Sequence, residues 1–209
     1  RDRLRSRGLG DVYKRQPYTW DKERVSSYIR YVDTDNQSHW LFDSFLFLEI
    51  MDTGTGGANK MFAKGYNLES ANQADWTKLI DYYFQSETGI GALDASVKEA
   101  SAILGTPRQK RQIVISIPEP IVYQHPEQAS SSTKYWGKID NQTLDFSNSA
   151  DRIKACKWYI DQVRAKFNEK NYQHVELAGF YWLAEKATDT RDILNAVAIY
   201  LNKLKYSFN

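Results

Sequence analysis

The chain has 209 residues, is 42% apolar and 14% aromatic, and carries a formal net charge of +2. That is the composition of a globular protein, with length for one domain or most of one. No stretch reaches the about eighteen consecutive apolar residues of a membrane span, and the longest runs are interrupted by Asp43, Gln112 or Gly179.

The charge is unevenly placed. Arg1, Arg3, Arg5, Arg7, Lys14 and Arg15 face only Asp2 and Asp11 within residues 1–16, so this segment is +4 and the rest of the chain is −2. The body therefore offers no basic footprint for phosphates, and no nucleic-acid partner is expected. Residues 1–16, RDRLRSRGLGDVYKRQ, have no apolar periodicity, no h-region and no small-residue cleavage site, so they do not read as a signal peptide. The string resembles translated sequencing-adaptor read-through. It is set apart as a non-native or disordered tail, and the fold is expected within residues 17–209.

In chain order, Val25 to Val32 is too short a pattern to define more than a degraded strand–helix unit. Trp40 to Leu48 (WLFDSFLFL) is apolar on both alternating faces, which predicts a buried parallel strand. A loop with Gly54, Gly56 and Gly57 follows, and then Trp76, Leu79, Ile80, Tyr83 and Phe84 recur at helical spacing. A second helix carries Leu93, Val97, Ala100 and Leu104 and stops at Gly105, with Pro107 beyond it.

Gln112 to Ile117 (QIVISI) is β-branched and ends at Pro118 and Pro120, predicting a second buried strand. Roughly thirty residues with clusters of Ser, Thr, Gly and Asn separate it from the next helix, a length usual for functional or disordered loops. That helix carries Ile153, Cys156, Ile160, Val163 and Phe167. Val175 to Leu183 (VELAGFYWL) predicts a third strand, and Ile193, Leu194, Val197, Leu201 and Leu204 a final helix. Alternating strands and helices imply parallel strands joined by right-handed crossovers. Because no strand is followed by a dinucleotide fingerprint and the long loops follow strand C-termini, the expected fold is a partial (β/α)8 TIM-like barrel, truncated relative to the eight units of a whole one. A partial barrel is expected to have little or no activity by itself.

Cys156 is the only cysteine and sits among helical core positions, which predicts a buried structural thiol. The loop TGTGGANK at Thr53 to Lys60 fails the phosphate-loop spacing, because Asn59 stands where a glycine is required. His39, His125 and His174 form no metal-binding pattern, so neither a metal nor a cofactor is expected. Asn36 and Asn141 begin N-x-S/T triplets, which matter only in a glycosylating pathway.

The carboxylates near strand ends carry more chemistry. Asp43 and Glu49 share one face of the first predicted strand, Glu119 ends the second and Glu185 the third. Glycoside hydrolysis needs one carboxyl as acid and another as nucleophile or base on either side of a sugar ring. Glu185 and Glu119 are the candidate catalytic pair, in either order, with Asp43 and Glu49 in support. Such residues also cap helices, which is the plainer explanation. Tyr123, the Tyr135-Trp136 pair, Tyr181 and Trp182 accompany them, and their rings suit the apolar faces of sugars; the core is the competing place for the tryptophans.

The blocks PYTWDKERVSSYIRYVD, HWLFDSFLFLE, ADWTKLIDYYF, IVISIPEP, ACKWYIDQV and ELAGFYWLAE together resemble the bacterial domain-of-unknown-function family 4855 from about Pro17 onward. The resemblance implies a barrel similar to glycoside hydrolases, often in exported or cell-surface proteins with carbohydrate-associated modules. It implies no particular reaction and carries over no catalytic residue. It also implies further strands beyond Asn209. Two functions stay open: a glycoside hydrolase-like barrel acting on a polysaccharide, and a non-catalytic glycan-binding or cell-surface scaffold on the same fold. Substrate, linkage and oligomeric state are not legible in the sequence.

Overall fold

The structure, a computed structural model, describes residues 20–52, 58–185 and 187–209. The basic segment of residues 1–16 and most of the glycine-rich loop after Asp52 lie outside these residues. The chain opens with α1 (Lys22–Ile29), whose N-cap Asp21 accepts from the Arg24 amide. It continues into an antiparallel hairpin of β1 (Arg30–Val32) and β2 (Ser38–Trp40). Asp33 makes the turn by accepting from the amides of Asp35 and Gln37, and Asn36 takes a positive φ of 61°.

This hairpin corrects two expectations. Val25 to Val32 is a helix and a hairpin strand, not a degraded barrel unit. The strand expected over Trp40 to Leu48 is divided, because the amides of Leu41 and Phe42 turn aside to the carbonyls of Ile29 and Tyr28 at the end of α1. Only β3 (Ser44–Phe47) enters the main sheet.

Three short strands follow: β4 (Met51–Asp52), β5 (Lys60–Met61) and β6 (Glu69–Ser70) form a small sheet in that order. Then come α2 (Gln73–Tyr83), started by a reciprocal capping box between Asn72 and Asp75, and α3 (Gly89–Leu104). β7 (Arg111–Ile117) is succeeded by the hairpin β8 (Lys138–Ile139) and β9 (Gln142–Thr143). α4 (Ser149–Lys170) ends at Asn171 in the left-handed conformation, and β10 (Val175–Trp182), α5 (Arg191–Lys203) and β11 (Ser207–Phe208) complete the chain.

The main sheet is four-stranded and parallel, in the order β3-β7-β10-β11, so each strand lies beside its predecessor in the sheet. The protein is thus a mixed α/β structure with a parallel sheet, as the alternating sequence pattern predicts. Register places Phe45, Phe47, Ile113, Ile115 and Phe180 on one face, and each is 3% exposed or less. Leu46 and Val114, on the opposite face, are only half-buried.

Two details fix the layers. Gly179 lets β11 approach β10, since a Cβ there would strike the Ser207 side chain and lie 2.6 Å from its carbonyl oxygen. Behind the first face, Trp76 of α2 meets Tyr159 of α4 edge-on at 5.7 Å, and Phe84 meets Phe167 at 6.0 Å. Cys156 is fully buried beside them, and burial pushes its thiol up to about 12, which leaves it unreactive.

Candidate functional site

Glu49, Glu119 and Glu185 follow the last residues of β3, β7 and β10, so three neighbouring parallel strands each deliver a carboxylate just beyond their C-terminal ends. Backbone hydrogen bonds continue across this rim. The Phe62 amide donates to Ile50, the Glu119 amide to Phe62, and the Leu183 amide to Ile117. The stretch after Met61 is therefore laid between the continuations of β3 and β7.

Glu119 is 6% exposed, and the Lys64 amide donates to its Oε2 at 2.7 Å. Burial raises its carboxyl pKa; the Lys64 hydrogen bond opposes the rise and the nearby Asp189 charge adds to it. The Lys64 ammonium donates to Asp189 Oδ2 at 2.9 Å. Arg152, 6% exposed at the start of α4, grips the same loop from beneath. Its guanidinium donates to the Asp189 carbonyl at 3.2 Å and pairs with Asp192 at 2.6 Å.

Lys64, Glu119, Ile121, Tyr123, Pro126 and Asp189 line a pocket of about 130 Å³. That is small beside the roughly 300–1,000 Å³ of ordinary ligand sites. Its wall is held by Tyr135, whose hydroxyl donates to the Ile121 carbonyl at 2.6 Å, and by Ser70, which donates to the Tyr123 carbonyl at 2.8 Å.

Glu185 is exposed and accepts a hydrogen bond from the Tyr181 hydroxyl; it does not line this pocket. Glu49 is partly buried, and burial, helped by the Asp52 charge, pushes its carboxyl up to about 7. Asp43 does not join the group. It precedes β3, and its carbonyl accepts from Gln112 at the beginning of β7, so it lies at the opposite end of the sheet from Glu119. The sequence placed it inside a strand that in fact starts one residue later.

The aromatics divide as well. Trp136 is 1% exposed and its ring meets Trp76 at 5.2 Å and Trp158 at 5.5 Å, so it belongs to the core and presents no platform. Trp182 is 6% exposed and meets Phe208 edge-on. Tyr123 remains as a pocket wall and Tyr181 as the support of Glu185.

Sequence reasoning missed Lys64, Asp189 and Arg152. Lys64 falls in a stretch with no strong pattern, and Asp189 looks like the approach to a helix. Their only signal was position, since both lie near loops that follow parallel strands. Among the described residues, no group of three or more His, Cys, Asp or Glu side chains is placed to hold a metal ion, and no helix is long and apolar enough to cross a membrane.

Fold and site together define an α/β protein whose parallel strands present acidic side chains at their C-terminal ends. The family whose model matches residues 10–209 is described as "Domain of unknown function (DUF4855)", and the chain belongs to it. No curated protein and no solved structure matches the chain.

Proposed function

We propose that this chain contributes to a (β/α)8-type barrel that binds a polysaccharide at its strand ends and hydrolyses it. The strand order supports the barrel. Doubly wound sheets reverse direction at a switch point, whereas β3, β7, β10 and β11 advance one way without reversal. Right-handed crossovers between successive neighbours place their helices on one side, as in a barrel wall. An all-parallel sheet is normally buried on both faces, so the half-exposed Leu46 and Val114 suit the inner side of such a wall.

The observation that carries the hydrolytic reading is Glu119, a buried carboxyl of raised pKa beside a pocket at the C-terminal end of a strand. A carboxyl whose pKa is raised by burial is the kind that glycoside hydrolysis uses to protonate a glycosidic oxygen. The loop after β10 offers the second carboxyl group, with Glu185 and Asp189 as its candidates.

In a protein that contains this chain, Glu119→Gln is expected to lower kcat for reducing-sugar release by a factor of roughly 10²–10⁴ while leaving polysaccharide binding in place. Unchanged turnover would remove Glu119 from the chemistry. A non-catalytic glycan-binding role draws on the same pocket, with Tyr123 as its aromatic wall, while the burial of Trp136 and Trp182 counts against it. That role predicts binding without turnover in the parent protein.

A further inference from the structure

We infer that Asp189, held by Lys64 and Arg152, is the carboxyl group that works with Glu119, and that Glu185 stands outside the reacting pair. This rests on the hydrolytic reading above and narrows it. Glu119 and Asp189 line one pocket from opposite chain segments, and Lys64 touches both, through its amide on Glu119 Oε2 at 2.7 Å and its ammonium on Asp189 Oδ2 at 2.9 Å.

A single residue thus contacts both carboxyls. Its amide hydrogen bond and its charge both oppose the rise that burial gives Glu119, and its ammonium pairs with Asp189. Arg152 adds rigidity. Its own charge is engaged by Asp192, and its hydrogen bond to the Asp189 carbonyl ties the β10–α5 loop to the start of α4. Arg152 is a positioning residue.

The pocket is lined on its remaining sides by Ile121, Tyr123 and Pro126. Apolar walls with acidic groups at one end suit a neutral polyhydroxylated ring, whose C–H faces rest on the walls while its hydroxyls reach the carboxyls. Asp189 is about half exposed, its side chain 49% accessible, so water reaches it. In the step assigned here, Glu119 gives its proton to the glycosidic oxygen as the anomeric C–O bond breaks and its electron pair goes to that oxygen. A water oxygen bonds the anomeric carbon, and the proton lost by that water passes to Asp189. The proton on Asp189 then returns to Glu119 through solvent, so the net change is addition of one water across one glycosidic bond, and no other reactant is required.

The test is a carbon-13 NMR titration of the Glu119 carboxyl in this chain, selectively labelled at glutamate, beside matched variants. Asp189→Asn removes a neighbouring negative charge, so the Glu119 midpoint is expected to fall. Lys64→Met removes a positive one, so the midpoint is expected to rise. Glu185→Gln is expected to leave it in place. Retained amide spectra away from the pocket establish that each variant folds. A midpoint that ignores Asp189→Asn, or that follows Glu185→Gln to the same extent, overturns the pairing.

In a protein that contains this chain, Asp189→Asn is expected to lower kcat by roughly 10²–10⁴-fold, and Glu185→Gln is expected to leave kcat near that of the parent. Full turnover by Asp189→Asn also overturns the assignment. A gene product that hydrolyses no polysaccharide while the titration coupling persists defeats the hydrolytic reading and leaves the pairing intact.

Discussion

Trp136→Ala is expected to destabilise the chain by about 3–5 kcal/mol, the usual cost of removing a buried tryptophan. Its ring is 1% exposed and is enclosed by Trp76 at 5.2 Å, Phe146 at 5.5 Å and Trp158 at 5.5 Å, from α2, the β9–α4 connection and α4. The Trp136 carbonyl also accepts from the Gln73 amide at 2.7 Å, so backbone and ring together anchor the long segment after β7 to the start of α2. Truncation leaves a cavity where three elements meet, and they cannot collapse together without breaking that anchor. Urea denaturation gives the difference directly. A sugar-stacking surface residue, as the sequence suggested, would change stability by no more than about 0.5 kcal/mol.

Glu49→Gln is expected to act in the opposite direction, and only above acidic pH. Burial raises the Glu49 carboxyl from 4.5 to about 7, with the Asp52 charge adding to the rise. The folded protein therefore holds a proton that the unfolded chain releases. Stability from this group is fully present below the unfolded value, declines as pH rises from 4.5 through about 7, and is lost above that. The loss amounts to about 3 kcal/mol at pH 8. Glutamine has no charge to desolvate, so the variant should match the parent near pH 4 and exceed it by about 3 kcal/mol at pH 8. In a chain of this size that is roughly 6–12 °C in Tm. Thermal scans at the two pH values check it, and an equal difference at both would mean that Glu49 titrates as an ordinary solvated carboxyl.

The parts of the fold legible in the sequence are those whose pattern is local. Gln112 to Ile117 and Val175 to Leu183 are strongly β-forming runs bounded by proline or polar residues, and they became β7 and β10. The helical stripes of α2, α3, α4 and α5 lie where 3.6-residue periodicity puts them. What failed depended on distant partners. The Trp40 to Leu48 run is divided because the carbonyls of Tyr28 and Ile29 take the amides of Phe42 and Leu41, a competition that no pattern within the run records. β11 is only Ser207–Phe208, too short for periodicity, and depends on the open surface at Gly179.

The site followed the same division. Glu119 was legible because it directly follows a strand. Tyr135-Trp136 misled because polar neighbours suggested a solvated loop, whereas Leu144 and Phe146 farther along are also fully buried and draw the segment onto α2 and α4. Lys64 and Asp189 are 125 residues apart, and only the folded chain makes them a pair.

The central proposal is that a carbohydrate unit occupies the pocket between Glu119 and Asp189. Its most direct test is an amide chemical-shift map of this chain titrated with cello-, xylo- and malto-oligosaccharides. Binding at the strand ends predicts that the resonances moved are those of Lys64, Glu119, Tyr123 and Asp189. Shifts gathered instead on the exposed side of α1 and its hairpin, around Tyr28 and Tyr31, or no shift with any of the oligosaccharides, would contradict it.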